Sequence, residues 1–321
     1  MKNLPQRPVQ REGEHWTRFV CISDTHSEDF VVPEGDILLH AGDLTSFGRV
    51  VELQTTMSWL CQLPHPVKII IAGNHDFTLD MDWYESNYGG FHRKRENPLA
   101  ARDLVRGDLA RGANLIYLEY QSAHVAPPGH HTDNEPVAEG EEKNPPKLWK
   151  FYGSPGSPEF GGWAFNYERG TVAEELHSSI PPETEVLLTH GPPHRILDTV
   201  HNGENAGCEE LVSRLRAIRP RLHVFGHIHE AHGAYIHTWN DQTDGPLDAD
   251  ACGARETIFV NAANQPAGRL AQEALNDGHS PNFGGYNFQP VIVDLLDTVP
   301  PEPQVPPVPS LGDDTTGTVQ A

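Results

Sequence analysis

The sequence predicts an α/β fold, and three observations carry that expectation. The chain has 321 residues, long enough for one large domain around a sizeable core. It contains a series of short apolar, β-branched runs, each reading as a buried strand: RFVCIS (18–23), DILLHA (36–41), VKIIIA (67–72), NLIYLEY (114–120), KLWKFYG (147–153), EVLLTH (185–190), RLHVFG (221–226), ETIFVNA (256–262) and PVIVDL (290–295). Between several of them the apolar spacing turns helical, as in Val50, Leu53, Met57 and Leu60, and in Leu211, Val212, Leu215 and Ile218. Strands alternating with helices point to α/β.

Along the chain, residues 1–16 are polar and Pro-containing and read as a loose N-terminal arm before a domain spanning 17–297. Within that domain, 121–146 is Pro-, Glu- and His-rich without apolar periodicity, and it reads as a flexible insertion between two hairpin strands, with His130 and His131 solvated. Residues 298–321 are Pro-rich and then polar, the composition of a disordered or polyproline-II tail. No internal repeat is present.

Formal net charge is −22, and a field of that sign repels polyanions, so nucleic-acid polymers are not expected partners. Bound divalent cations would reverse the potential locally, which keeps a small anionic substrate open. Cys21, Cys61, Cys208 and Cys252 form no CxxC pair and read as reduced structural residues. No apolar run reaches the roughly 20 residues of a membrane span, and the N-terminus lacks a signal-type apolar core, so the expected setting is cytoplasmic, away from a membrane.

Chemistry enters where the strands end. CISDTH places Asp24 and His26 after the first run, HAGD places Asp43, AGNHD places Asn74, His75 and Asp76, LLTHG places His190, and GHIH places His227 and His229. Ligands of open α/β sheets collect at the carboxyl ends of strands. Carboxylate and amide oxygens mixed with imidazole nitrogen, and no thiolate, suit Mn, Fe or Zn in a reactive centre better than structural zinc. Two cations roughly 3.5–4 Å apart need a bridging ligand, for which Asp43 is the candidate. Gly42, Gly73 and Gly226 read as points where the chain turns sharply off a strand.

DxH, GD, GNH[DE], a later His and GHxH, in this order, resemble the pattern of the calcineurin-like metallophosphoesterases. The stretches 152–170, 187–198 and 207–233 further resemble the metallophosphoesterase-domain-containing family. The resemblance covers about 18–295 apart from the insertion, and VNAAN (260–264) stands outside its recognised motifs. It implies a four-layered αββα sandwich of two mixed sheets, with one metal on Asp24, His26, Asp43 and His229 and a second on Asp43, Asn74, His190 and His227. It implies hydrolysis of a phosphate ester by a metal-bridging hydroxide. His75 is then the candidate general acid, and Asp76 either orients His75 or caps the turn.

The expected activity is a phosphodiesterase acting on small cyclic nucleotides with two divalent ions, Mn first and Fe or Zn next. A phosphomonoesterase with the same centre is the enzymatic alternative, and a metal-binding scaffold protein of low turnover the alternative of another class. Among the remaining polar and aromatic residues, His40 reads as a core or supporting residue. His194 and Arg195 read as a solvated loop or a phosphate contact, and Trp163, Phe165 and Asn166 as core packing or a surface for a nucleobase. The HRKR run at 92–95 reads as a solvated face.

Overall fold

A computed structural model describes residues 6–9, 14–128 and 147–297. The first half runs β1 (Trp16–Ile22), β2 (Ile37–Ala41), α1 (Val50–Gln62), β3 (Val67–Ile71), α2 (Met81–Phe91), α3 (Pro98–Arg106), α4 (Asp108–Gly112) and β4 (Leu115–Tyr117). The second continues with β5 (Gln121–Val125), β6 (Trp149–Ser154), the two-residue strands β7 (Ser157–Pro158) and β8 (Asn166–Tyr167), α5 (Thr171–Ser178) and β9 (Val186–Thr189). It closes with α6 (Glu209–Ile218), β10 (Leu222–Phe225), β11 (Gly233–Thr238), α7 (Asp241–Asp244), β12 (Glu256–Asn261), α8 (Gly268–Asn276) and β13 (Val291–Leu296).

Two large mixed sheets result. The first has the order β13-β1-β2-β3-β4, parallel except for β13, and the second has the order β11-β12-β10-β9-β6-β5, with antiparallel strands at both edges. Alternation along each strand then decides the layers. Phe19, Cys21, Ile37, Leu39, Ile69 and Ile71 face the other sheet, where they meet Trp149, Phe151, Val186, Leu188 and Val224 in one buried core. Their neighbours Val20, Ile22, Leu38 and Ile70 face outward and bury Leu53, Met57 and Leu60 of α1 with Ala101 and Val105 of α3. On the far side Tyr152, Leu187, Phe225 and Phe259 receive Ala173 of α5 and Leu211, Leu215 and Ile218 of α6. Helix, sheet, sheet and helix give the four-layered sandwich.

Every expected strand run contains a strand, and three local expectations change. Gln121–Val125, read as the start of a loose insertion, is β5; its side chains are largely exposed, so an edge strand shows no buried pattern. The hairpin partner of β6 is therefore β5, while β4 lies in the other sheet. β11 also escaped the periodicity argument, being an edge strand with no buried residue. Trp16 already belongs to β1, and Arg7 within the arm pairs with Asp36 at 2.8 and 3.0 Å. The expectations for 129–146 and 298–321 concern residues outside those described. All four cysteines are free thiols, and no helix among the described residues is long and apolar enough to cross a membrane.

Candidate metal centre

The carboxyl ends of the parallel strands of both sheets face one cleft edge. Loops after β1, β2 and β3 carry Asp24, His26, Asp43, Asn74 and His75, and loops after β9 and β10 carry His190, His227 and His229. Ligand-type atoms of Asp24, His26, Asp43 and His229 lie within 4.8 Å of one another. Around the other oxygen of Asp43, His190 Nε2 is 3.3 Å from Oδ1 and 2.9 Å from Asn74 Oδ1, and the His190 and His227 rings are 5.1 Å apart. Asp43 thus stands between both groups.

Tight local geometry achieves this convergence. Asp24, His26, Asp43 and His227 all have φ between +47 and +67°, a region costly for non-glycine residues and found where surrounding contacts over-determine the chain. Of the three glycines, only Gly42 supplies a left-handed turn (φ +100°). Gly73 and Gly226 have ordinary dihedrals and are needed for space: a Cβ would come within 2.4 Å of Asp43 Oδ1 at Gly73 and 1.9 Å of Asp24 Oδ2 at Gly226. Their service is close approach rather than a turn.

Hydrogen bonds settle which imidazole nitrogen faces the centre. Backbone carbonyls only accept, so His26 Nδ1–H donates to Thr45 O (3.1 Å), His75 Nδ1–H to Ser46 O (2.7 Å) and His190 Nδ1–H to Ala41 O (2.9 Å). Each ring then turns Nε2 inward, the arrangement in which outer partners orient metal-ligating histidines. His26 Nε2 is buried without a hydrogen-bond partner, 3.7 Å from Asp43 Oδ2. His190 Nε2 points at two oxygens. A neutral ring would set a lone pair against lone pairs, so that position calls for a proton or a cation. The donor set and the orphaned nitrogen both fit divalent metal.

The electrostatics agree. Burial opposes ionisation of Asp24 and Asp43, yet the hydrogen bond from His229 holds Asp24, and the charges of His190 and His75 hold Asp43, below the usual carboxylate range. Burial likewise opposes charge on His190, but Asp43 and Asp24 push its pKa up to about 9. His26 and His227 are pushed down to about 4 and about 3, chiefly by burial. Two buried carboxylates thus draw positive charge into the centre while two of its imidazoles stay neutral and available as donors.

Other candidate residues take defined places. Asp76 accepts from Gly73 N, Leu44 N, Thr45 N and Thr45 Oγ1 at 2.8–3.1 Å, which ties the loops after β2 and β3 together. Of its two readings, these bonds are those of a cap. Burial and the charge of Asp43 raise its pKa to about 7. His40 is buried and bonds Thr25 Oγ1 (3.0 Å) and Gly42 N (3.3 Å), supporting the loops that carry Asp24 and Asp43. Trp163 packs 4.3 Å from the His75 ring, whereas Phe165 is core and Asn166 closes its own loop by accepting from Phe160 N and Trp163 N.

His194 faces Asp198 (3.8 Å) and Glu209 (3.6 Å), and Arg195 N bonds Asp198, so both sit in a polar loop beyond His190. In the HRKR run, Arg93, Lys94 and Arg95 are exposed, but His92 is buried between Tyr84 Oη (2.6 Å) and Phe47 O (2.7 Å). The sequence reading passed over Ser46, whose carbonyl aims His75 and which no side-chain pattern would reveal. It also left Asn261 and Asn264 without a role, although two polar residues closing a buried strand were a usable signal.

Comparison with known proteins adds a lineage to this geometry. The sequence profile described as "Calcineurin-like phosphoesterase" matches residues 17–231. "Metallophosphoesterase domain-containing protein 1" of Homo sapiens, and likewise that of Mus musculus, is 37% identical over 263 residues, covering 78% of this chain and 70% of theirs. A "Probable rhamnogalacturonate lyase C" of Emericella nidulans is 38% identical over 236 residues, covering 72% of this chain and 19% of that longer one.

Proposed function

The chain belongs to the calcineurin-like phosphoesterase family, and we propose that it is a dinuclear metal-dependent phosphodiesterase acting on small cyclic nucleotides, with Mn as its metal. The observation that carries the reading is the convergence of Asp24, His26, Asp43 and His229 within 4.8 Å, with Asp43 shared by the group containing Asn74, His190 and His227. Two divalent ions bound there supply Lewis acidity toward phosphoryl oxygens and lower the pKa of water.

The chain's own groups would do the rest. His75 has Nδ1 committed to Ser46 O, so its Nε2, 4.0 Å from Asp43 Oδ2, is the nitrogen able to hold a proton for the leaving oxygen. A quarter of its side chain is exposed, which suits a group that meets substrate. Trp163 limits the tilt of that ring and offers a flat wall beside it. Immediately after His229, Glu230 and His232 line a cavity of about 840 Å³ with Leu197, Val200 and Arg269, room for a small ligand. Net charge of −22 supports a small substrate over a polyanion.

The test is metal analysis of purified protein, followed by turnover of cyclic nucleotides, linear diesters and monoesters with added Mn. Faster hydrolysis of cyclic nucleotides is expected. Preference for monoesters would replace the diester reading, and no hydrolysis of any class by fully metallated protein would overturn the enzyme.

A further inference from the structure

Segment 261–264, at the end of β12, lies at the seam of the two sheets. Ser23, directly before Asp24, forms a parallel bridge with Ala263, although β1 and β12 belong to different sheets. Asn264 reinforces it from both sides: its Oδ1 accepts from Ser23 N (3.2 Å), and its backbone N donates to Ser23 O (2.9 Å). Its side-chain nitrogen donates to Phe288 O at 2.7 Å. Three residues earlier, Asn261 Nδ2 donates to Ile228 O (2.9 Å), between His227 and His229, and to Leu197 O (3.0 Å), while its Oδ1 accepts from Ala263 N (3.1 Å). Both side chains are fully buried, and the bonds named use the amide groups at both ends.

We propose that Asn261 and Asn264 are positioning residues that set the gap between Asp24 on the first sheet and His227 and His229 on the second. The inference rests on the metal reading above. One asparagine grips the loop carrying two imidazoles, the other grips the residue before the carboxylate, and a rigid three-residue step joins them. Asp24 itself accepts from His227 N at 3.1 Å and faces His229 Nε2 at 3.0 Å, so a shift of either loop changes the distances among the converging atoms. Packing together with fully satisfied buried hydrogen bonds is what holds such a spacing to about 0.5 Å.

The experiment compares the full chain with Asn261→Ser, Asn264→Ala and Thr257→Val. Thr257 lies on the same strand, is fully buried and bonds Pro220 O and Trp239 Nε1, so its loss reports a structural hydrogen bond remote from the ligands. Metal-free thermal melting and Mn affinity by calorimetry are read side by side, at a temperature where each variant is folded. Asn261→Ser and Asn264→Ala should weaken Mn binding by about 10–100-fold, the scale found for outer-shell partners, and Thr257→Val should lower the melting temperature with Mn affinity unchanged. If one asparagine variant fails to fold, the other decides. Wild-type Mn affinity in a folded asparagine variant overturns the proposal. Absence of Mn binding by the wild-type chain instead overturns the metal reading, and the positioning role with it.

Discussion

From the first sheet the centre receives Asp24, His26, Asp43, Asn74 and His75, and from the second it receives His190, His227 and His229. All the negative charge comes from one side and imidazole alone from the other. The supporting bonds are unequal too. First-sheet loops brace one another through Asp76, whereas each second-sheet histidine leans on the first sheet: His190 on Ala41 O, the His227 backbone and the His229 ring on Asp24. The difference teaches that the first sheet supplies the charge, while the second-sheet loops are held both by the first sheet and by their own sheet through Asn261.

Removing the shared charge should have the largest effect. Asp43→Asn keeps the size of the side chain but takes away the one carboxylate common to both groups. Metal content by elemental analysis should fall and hydrolysis drop by about 10⁴-fold or more, as several kcal/mol of Lewis-acid stabilisation disappear. A variant retaining two metals per chain would show that the Asp43 carboxylate is not what joins the two groups.

Next in size, His75→Ala should retain metal while losing about 10²-fold in turnover, with a smaller loss for nitrophenyl esters, whose leaving group needs no proton. Equal losses for all leaving groups would leave His75 a wall of the site without a proton to give.

The second sheet is probed by pH. His190 has its pKa raised to about 9, so below that value metal must displace its proton. Mn affinity should rise by about tenfold per pH unit between about pH 7 and pH 8, with proton release measurable by calorimetry in buffers of different ionisation enthalpy. An affinity independent of pH would show His190 already deprotonated.

Smallest is the effect of imidazoles outside the centre. Burial pushes His177 down to about 4 and His223 down to about 3, both on the helix-covered side of the second sheet. Below an unfolded-state pKa of about 6.5, the unfolded chain takes up protons that the folded chain refuses. Stability is therefore fully present above that value and is lost as pH falls toward about 4. Melts of the metal-free protein should show a lower midpoint at about pH 5 than at about pH 7, and the double variant His177→Gln, His223→Gln should flatten that slope. An unchanged slope would place the acid sensitivity in the other imidazoles whose pKa burial lowers, His26, His40, His227 and His232.

Much of this was legible in the chain. The buried strands announced themselves because their residues are apolar on both faces, and the ligand-bearing residues because each follows such a run directly. The edge strands β5 and β11 stayed hidden because consecutive residues of each are exposed, so neither face carries an apolar row. Gly73 and Gly226 were marked by their neighbours, but for the wrong reason: dihedral freedom and close approach look alike in sequence. His92 read as part of a charged surface because nothing local reveals the carbonyl and phenol that enclose it.

By itself the sequence determined the class of fold, the order of the strands along the chain and the kinds of atom available for a metal, since all three follow from side-chain chemistry and local periodicity. Which atoms meet was decided only by the tertiary structure. Asp24 and His229 are 205 residues apart in the chain and 3.0 Å apart in space, a distance set by how two twisted sheets pack and by the buried bonds that join their ends.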